Sequence, residues 1–304
     1  MVFSEKLRLN QTVITVELSP PNGTDASFML KTAHGLKGLV DAINVPDCQL
    51  SLLKMSSLAA SKLIQDETGI EAIWQLTCRD RNLIALQADV LGAYALGIKN
   101  VLALTGDPVQ IGDQRKRAKQ VFHLESTRLL NLLQQLNADQ DACDNALKKS
   151  GTQLTIGAAI NPYKLYNRAQ QMRLQRKIEQ QVDFFQTQPV YHTAIVKETR
   201  ERIAQAADAI GYPEPSLIVG IIPPKTAEMA RRLNETIVGI NIPDTLIDSL
   251  ARSTSPIEES YAFCADLIDS VKSQVNGFHF MPVGTAGKVK NLIQQCGFTA
   301  VSVT

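Results

Sequence analysis

A single carboxylate closes an apolar run in VITVE, residues 13–17, before the chain turns through Pro20, Pro21, Asn22 and Gly23. A glutamate flanked by Val16 and Leu18 and followed by two rigid prolines has an apolar frame. Partial burial there raises a carboxyl pKa toward neutrality, and the group can then act as a general acid. Polar residues close other apolar runs in the same way: Asn44 with Asp47, Gln75 with Thr77, Asp107, Asn161, Gln188 and Lys225. Any one of them has an ordinary explanation, because strand-end polar groups cap the next helix or satisfy turn amides. Their recurrence at the ends of most runs points to a site on one rim of the molecule.

The runs that must position them are VITVEL (13–18), VDAINV (40–45), EAIWQLT (71–77), NVLALTG (100–106), TQLTIGAAI (152–160), VDFFQTQ (182–188), SLIVGII (216–222) and GFHFMP (277–282). Helical patterns lie between them. In RNLIALQADVLGAYALG, Leu83, Leu86, Val90 and Tyr94 fall on one helical face and Gly97 marks the stop. Near-continuous apolar strands alternating with helices predict a parallel sheet covered by helices. Eight such units predict an α/β fold of the (β/α)8 TIM-barrel type, with residues 1–304 as a single domain and the site at the carboxyl ends of the strands. The alternative, a doubly wound sheet, is disfavoured because SPPNGTD rather than G-x-G-x-x-G follows the first strand. The polar run NADQDACDNALKKSG within the long segment 107–150 is expected as a solvated excursion on the helix side.

Lys plus Arg number 31 against 30 Asp plus Glu, so no overall basic field exists to attract nucleic acid or an anionic membrane. No signal peptide and no membrane span is recognisable, and a cytoplasmic protein acting on a small molecule is expected. Cys48, Cys78, Cys143, Cys264 and Cys296 contain no C-x-x-C pair, which predicts reduced, mostly buried thiols and no zinc site. His123 and His192 are expected at helix ends or on the surface, and Met229 with Leu233 in the core.

The stretch LTCRDRNLIALQADVLGAYALGIKNVLALTGDP (76–108) resembles the methylenetetrahydrofolate reductase family. The likeness continues through VELSPP (16–21), IGAAINP (156–162), RKIEQQVDFFQTQPVY (176–191) and VGIIPP (219–224), and so covers nearly the whole chain. It implies a flavoprotein barrel that reduces 5,10-methylenetetrahydrofolate to 5-methyltetrahydrofolate in one-carbon and methionine metabolism. By the resemblance, Glu17 is the general acid toward the folate and Asp107 the aspartate held near both flavin and substrate. Gln188 bonds the pterin. Gln75, Thr105, Gly106, Asp107, Ala159, Arg176 and Lys177 stand at cofactor contacts. The implied cofactor is FAD, with FMN or a flavin-free form as alternatives, and the implied electron donor is NAD(P)H. A homo-oligomer or a partner electron-transfer subunit also fits the resemblance.

The sequence departs from that pattern in places. Gln75 stands where the reductases usually carry His, Val45-Pro46 where a threonine is common, and Gly284-Thr285 where relatives place an arginine toward the substrate. Two rival functions remain: a folate-binding methyl-transfer enzyme, and a non-catalytic folate-binding subunit of a reductase complex. The scattered cysteines disfavour a thiolate-zinc version of the first.

Overall fold

A computed structural model describes residues 1–237, 239–282 and 289–298. Helix α1 (Phe3–Arg8) precedes the first strand, β1 (Val13–Glu17), and α2 (Ser27–Leu36) leads to β2 (Ala42–Val45). The pattern repeats through α3 (Ser57–Thr68), β3 (Glu71–Thr77), α4 (Leu83–Ala95), β4 (Asn100–Leu104), α5 (Ser126–Asn137) and β5 (Thr155–Ile160). It continues with α6 (Arg168–Glu179), β6 (Phe184–Pro189), α7 (Thr193–Ile210) and β7 (Ser216–Ile221). Helices α8 (Ala227–Thr236), α9 (Asp244–Arg252) and α10 (Pro256–Val271) precede β8 (Gly277–Phe280), and α11 (Val289–Gln295) follows it. The eight strands form one closed parallel barrel in chain order, with β1 also paired to β8. Every strand expected from the sequence is present, and the expected barrel is observed.

Local signals explain the elements. Asn82 caps α4 by accepting from Ala85 N, and Gly97, at φ 86°, turns the chain out of the helix as its position in the sequence predicts. The outer strand faces pack on the helices through residues such as Val16, Val45, Trp74, Val101 and Phe278. A separate inner cluster, Val13, Ala42, Ile73, Leu102, Phe184 and Ile218, fills the barrel floor, and Phe3 and Leu7 of α1 close it from below. Phe3 meets Phe184 edge to face at 5.6 Å. Truncating Phe184 would cost about 3–5 kcal/mol, as for any fully buried phenylalanine.

The segment after β4 divides in two. Its first half, through a short turn at Val109–Ile111, lies beyond the carboxyl end of β4, and only the run after α5 is the largely exposed turn expected, bridged at Gln140 and Ala146. Cys78 and Cys264 are buried, Cys48 and Cys296 half-buried, and Cys143 exposed. Leu233 is buried with Met229 packed beside it, and His192 is the cap residue of α7. Among the described residues no helix is long and apolar enough to cross a membrane, and no cluster of His, Cys, Asp and Glu could hold a metal ion.

Candidate active site

Side chains of a strand alternate between faces, so residues two apart share the barrel interior. Above the apolar floor the inward positions turn polar: Thr15 on β1, Asn44 on β2, Gln75 on β3, Gln186 on β6 and His279 on β8 are all buried. They satisfy one another. Gln75 Nε2 donates to Asn44 Oδ1 at 2.9 Å, and Asn44 Nδ2 donates to Gln186 Oε1 at 2.6 Å. Thr15 Oγ1 lies 2.8 Å from His279 Nδ1. Burial pushes the His279 pKa down to about 3, so the ring is neutral, and its Nε2 has no partner.

Glu17 occupies the next inward position of β1, at the mouth. Burial raises its pKa to about 7, against the opposing effect of hydrogen bonds from the Gln75 and Gln49 side chains. Donors favour the ionised form, so the desolvation cost of the charge is the larger effect. The outcome is a carboxyl half protonated near neutrality that retains partial access to solvent. Gln75 thus connects the acid to the amide chain beneath it. Gln188, two residues beyond Gln186, takes the upper inward position of β6; its side chain is half-buried and makes no hydrogen bond among the described residues.

Asp107 sits in the loop after β4, and its Oδ2 accepts from Leu50 N at 2.7 Å. That bond joins the β4 loop to the β2 loop, which also carries Gln49. The preceding Gly106 has φ 94°, and a Cβ there would stand 2.9 Å from Thr77 Cβ. Only glycine fits this approach of the β4 loop to the end of β3. Asp47 is buried and accepts from Thr77 Oγ1 at 2.8 Å and from Arg81 Nη1 at 2.6 Å, which ties β2, β3 and the following loop together.

Residues 3–297 match the methylenetetrahydrofolate reductase family. The chain belongs to the methylenetetrahydrofolate reductase family. Among solved structures it is similar to an uncharacterized protein from Clostridium thermocellum that binds two copies of 5-methyl-5,6,7,8-tetrahydrofolic acid. The TM-score is 0.70, with 13% identity over 97% of this chain and 98% of that one. An EDTA monooxygenase from Chelativorans sp. BNC1 matches at TM-score 0.58 and 12% identity, over 97% of this chain and 96% of that one. At such identities the two structures establish a shared barrel.

Against the methylenetetrahydrofolate reductase pattern, the expected residues fall into groups. Glu17 and Gln75 touch each other, Asp107 reaches them through the Gln49 loop, and Gln188 faces the same mouth. Gln75 is bonded into the core rather than turned outward, as a contact to a ligand at the rim would require. On the β4–β5 side, Thr105 lines a cavity of about 280 Å³ with Phe122, His123, Leu124, Glu125 and Arg128, while its hydroxyl accepts from Ser126 N. Lys177 reaches from α6 to donate to Ala159 O at 2.6 Å. Burial lowers the Lys177 pKa to about 8, with Glu125 acting in the opposite sense. Arg176 is exposed on α6 and makes no ion pair among the described residues. Gly284 and Thr285 lie outside the described residues.

The sequence reading missed Gln49, Gln186, Thr15 and His279. The last three carry a faint signal, since each falls at the same alternate-residue parity as a residue that was singled out or as the floor of the barrel.

Proposed function

We propose that the protein reduces 5,10-methylenetetrahydrofolate to 5-methyltetrahydrofolate, with Glu17 as the general acid. The observation that carries this is the Glu17 carboxyl, held near neutral pKa at the inner mouth of a barrel of this family. The substrate carbon bridges N5 and N10 in a five-membered ring. Protonation of N10 by Glu17 breaks the C–N10 bond and leaves a cationic iminium at N5, whose carbon then accepts hydride and becomes the methyl group. Asp107 stabilises the positive charge as it develops. Gln188, with a free carboxamide at the mouth, supplies hydrogen bonds to the pterin.

A flavin, when bound, supplies the hydride and is itself reduced by NAD(P)H or a partner electron carrier. The residues on the β4–β5 side suit such a cofactor. The Lys177 ammonium has three donors, of which one is engaged by Ala159 O, and it makes no ion pair among the described residues. A half-buried cation with spare donors fits a phosphate oxygen. Thr105, Gly106, Ala159 and Arg176 would complete the contacts, and FAD is the flavin the family implies. The folate ligand of the Clostridium thermocellum protein supports a pterin at a barrel of this shape.

The test is anaerobic single turnover. Protein loaded with reduced flavin should yield 5-methyltetrahydrofolate from the methylene substrate, detected by chromatography. Tight folate binding without any product would favour the rival reading, a folate-binding subunit, which the replacement of the usual histidine by Gln75 also suits.

A further inference from the structure

The loop between β2 and α3 is held in a costly backbone. Cys48, Leu50 and Ser51 have φ of 47°, 55° and 53°, a region that costs a residue other than glycine on the order of 1 kcal/mol. Three such residues within four persist only when neighbours over-determine them. The neighbours here belong to the β4 loop and to Arg79. Asp107 Oδ2 accepts from Leu50 N, and Ser51 Oγ donates to the carbonyls of Asp107 and Pro108 at 2.8 and 3.1 Å. Arg79 Nη1 donates to Cys48 O at 3.0 Å and to Ser51 Oγ at 3.2 Å. Gly112 packs so closely that a Cβ on it would meet Ser51 O at 2.0 Å. What this clamp presents is Gln49, exposed at the rim with its carboxamide on Glu17.

We infer that Gln49 is a positioning residue for Glu17, held on its target by the clamp from Asp107 and Ser51, and that it stabilises the ionised form of the acid. The inference deepens the reading of Glu17 as the proton donor and rests on it. Other charged or titratable groups around the mouth are engaged elsewhere. Asp47, after β2, is bonded to Thr77 and Arg81; Arg79 and Arg81, after β3, are paired with Asp80 and with Asp47 and Asp89. Asp107, after β4, holds Leu50 N, and His279 of β8 bonds Thr15. Burial and two amides, one rising from the core and one reaching in from the rim, therefore govern the Glu17 proton.

The experiment titrates the Glu17 carboxyl stretch by isotope-edited infrared spectroscopy on the full chain, with Glu17→Gln as the blank and neither folate nor flavin added. Gln49→Leu changes an exposed side chain and should raise the midpoint by about one pH unit, the worth of one hydrogen bond to a charged group. Ser51→Ala loosens the clamp and should raise it by less. The double variant should match Gln49→Leu alone, because both changes act through one amide. An unmoved midpoint in Gln49→Leu or in Ser51→Ala, or additive shifts in the double variant, would overturn the inference. If the midpoints behave as expected while Glu17→Gln still reduces folate, the proposed function fails and the positioning role stands.

Discussion

Gln75 donates to Glu17 and to Asn44 at once, so the acid at the mouth is the upper end of an amide chain that crosses the barrel to Gln186. A carboxamide has only two N–H groups, and with both engaged its orientation is fixed. Glu17 is consequently presented by a rigid support rather than by a free side chain on a strand end.

The first consequence is kinetic. Glu17→Gln keeps the shape of the site and removes the proton, so folate reduction should fall by about 100-fold or more while reduction of bound flavin by its donor stays near the parent rate. In the parent, kcat/KM for folate should decline as pH rises through about 7, where Glu17 loses its proton. The residual activity of the variant should lack that limb. Stopped-flow measurement of the two half-reactions across pH separates the cases, and a parent-like folate rate in the variant would make Glu17 a structural residue.

The same substitution has a stability signature. The Glu17 pKa rises from 4.5 to about 7 on folding. Its contribution to stability is therefore fully present below about pH 4.5, declines between the two values, and stays low above pH 7. Glu17→Gln should be more stable than the parent above pH 7, by an amount on the order of 3 kcal/mol at most, and the difference should shrink toward acid pH. Urea denaturation at pH 4 and pH 8 reads this directly. A constant difference between the two variants across that range would contradict the assigned burial of the charge.

Gln188 makes no hydrogen bond among the described residues, so its removal disturbs little of the fold. Gln188→Ala should lower kcat/KM for folate by roughly 5- to 30-fold, which corresponds to about 1–2 kcal/mol of lost hydrogen bonding. The melting temperature should hardly change. Folate kinetics equal to those of the parent would place Gln188 outside the site.

Asp107 offers a separable test of charge. In Asp107→Asn the amide oxygen can still accept from Leu50 N, so the loop keeps its shape while the charge is lost. Bound reduced flavin should then form more easily and its midpoint potential should rise, because a nearby negative charge disfavours added negative charge. Hydride transfer to folate should slow as the cationic iminium loses its partner. A redox titration beside single-turnover reduction measures both, and an unshifted potential would remove Asp107 from the flavin's surroundings.

The barrel was legible because its strands are buried on both faces. EAIWQLT and SLIVGII read as apolar runs of strand length, and the intervening glycine-terminated helices leave a closed parallel sheet as the economical topology. The rim was legible for a related reason, since Glu17, Gln188 and Asp107 interrupt apolar runs at their ends. The polar layer beneath was not. His279 stands between two phenylalanines in GFHF, and its inward direction becomes evident only from the register that sets it beside Thr15. Gln49 was beyond reach for a different reason: it follows and precedes residues with positive φ, at Cys48 and Leu50, where no glycine announces the turn.

The Thr15–His279 contact spans 264 residues of chain and straddles the seam where β8 meets β1. Pairings so distant in sequence form late, because the intervening chain must be ordered before they can hold. During synthesis β1 therefore waits with one edge unpaired until Phe280 has left the ribosome, and an unpaired edge is open to wrong partners. The dry surroundings that give Glu17 its proton arise at that final closure. A nascent chain halted before β8 would carry an ordinary, fully ionised glutamate.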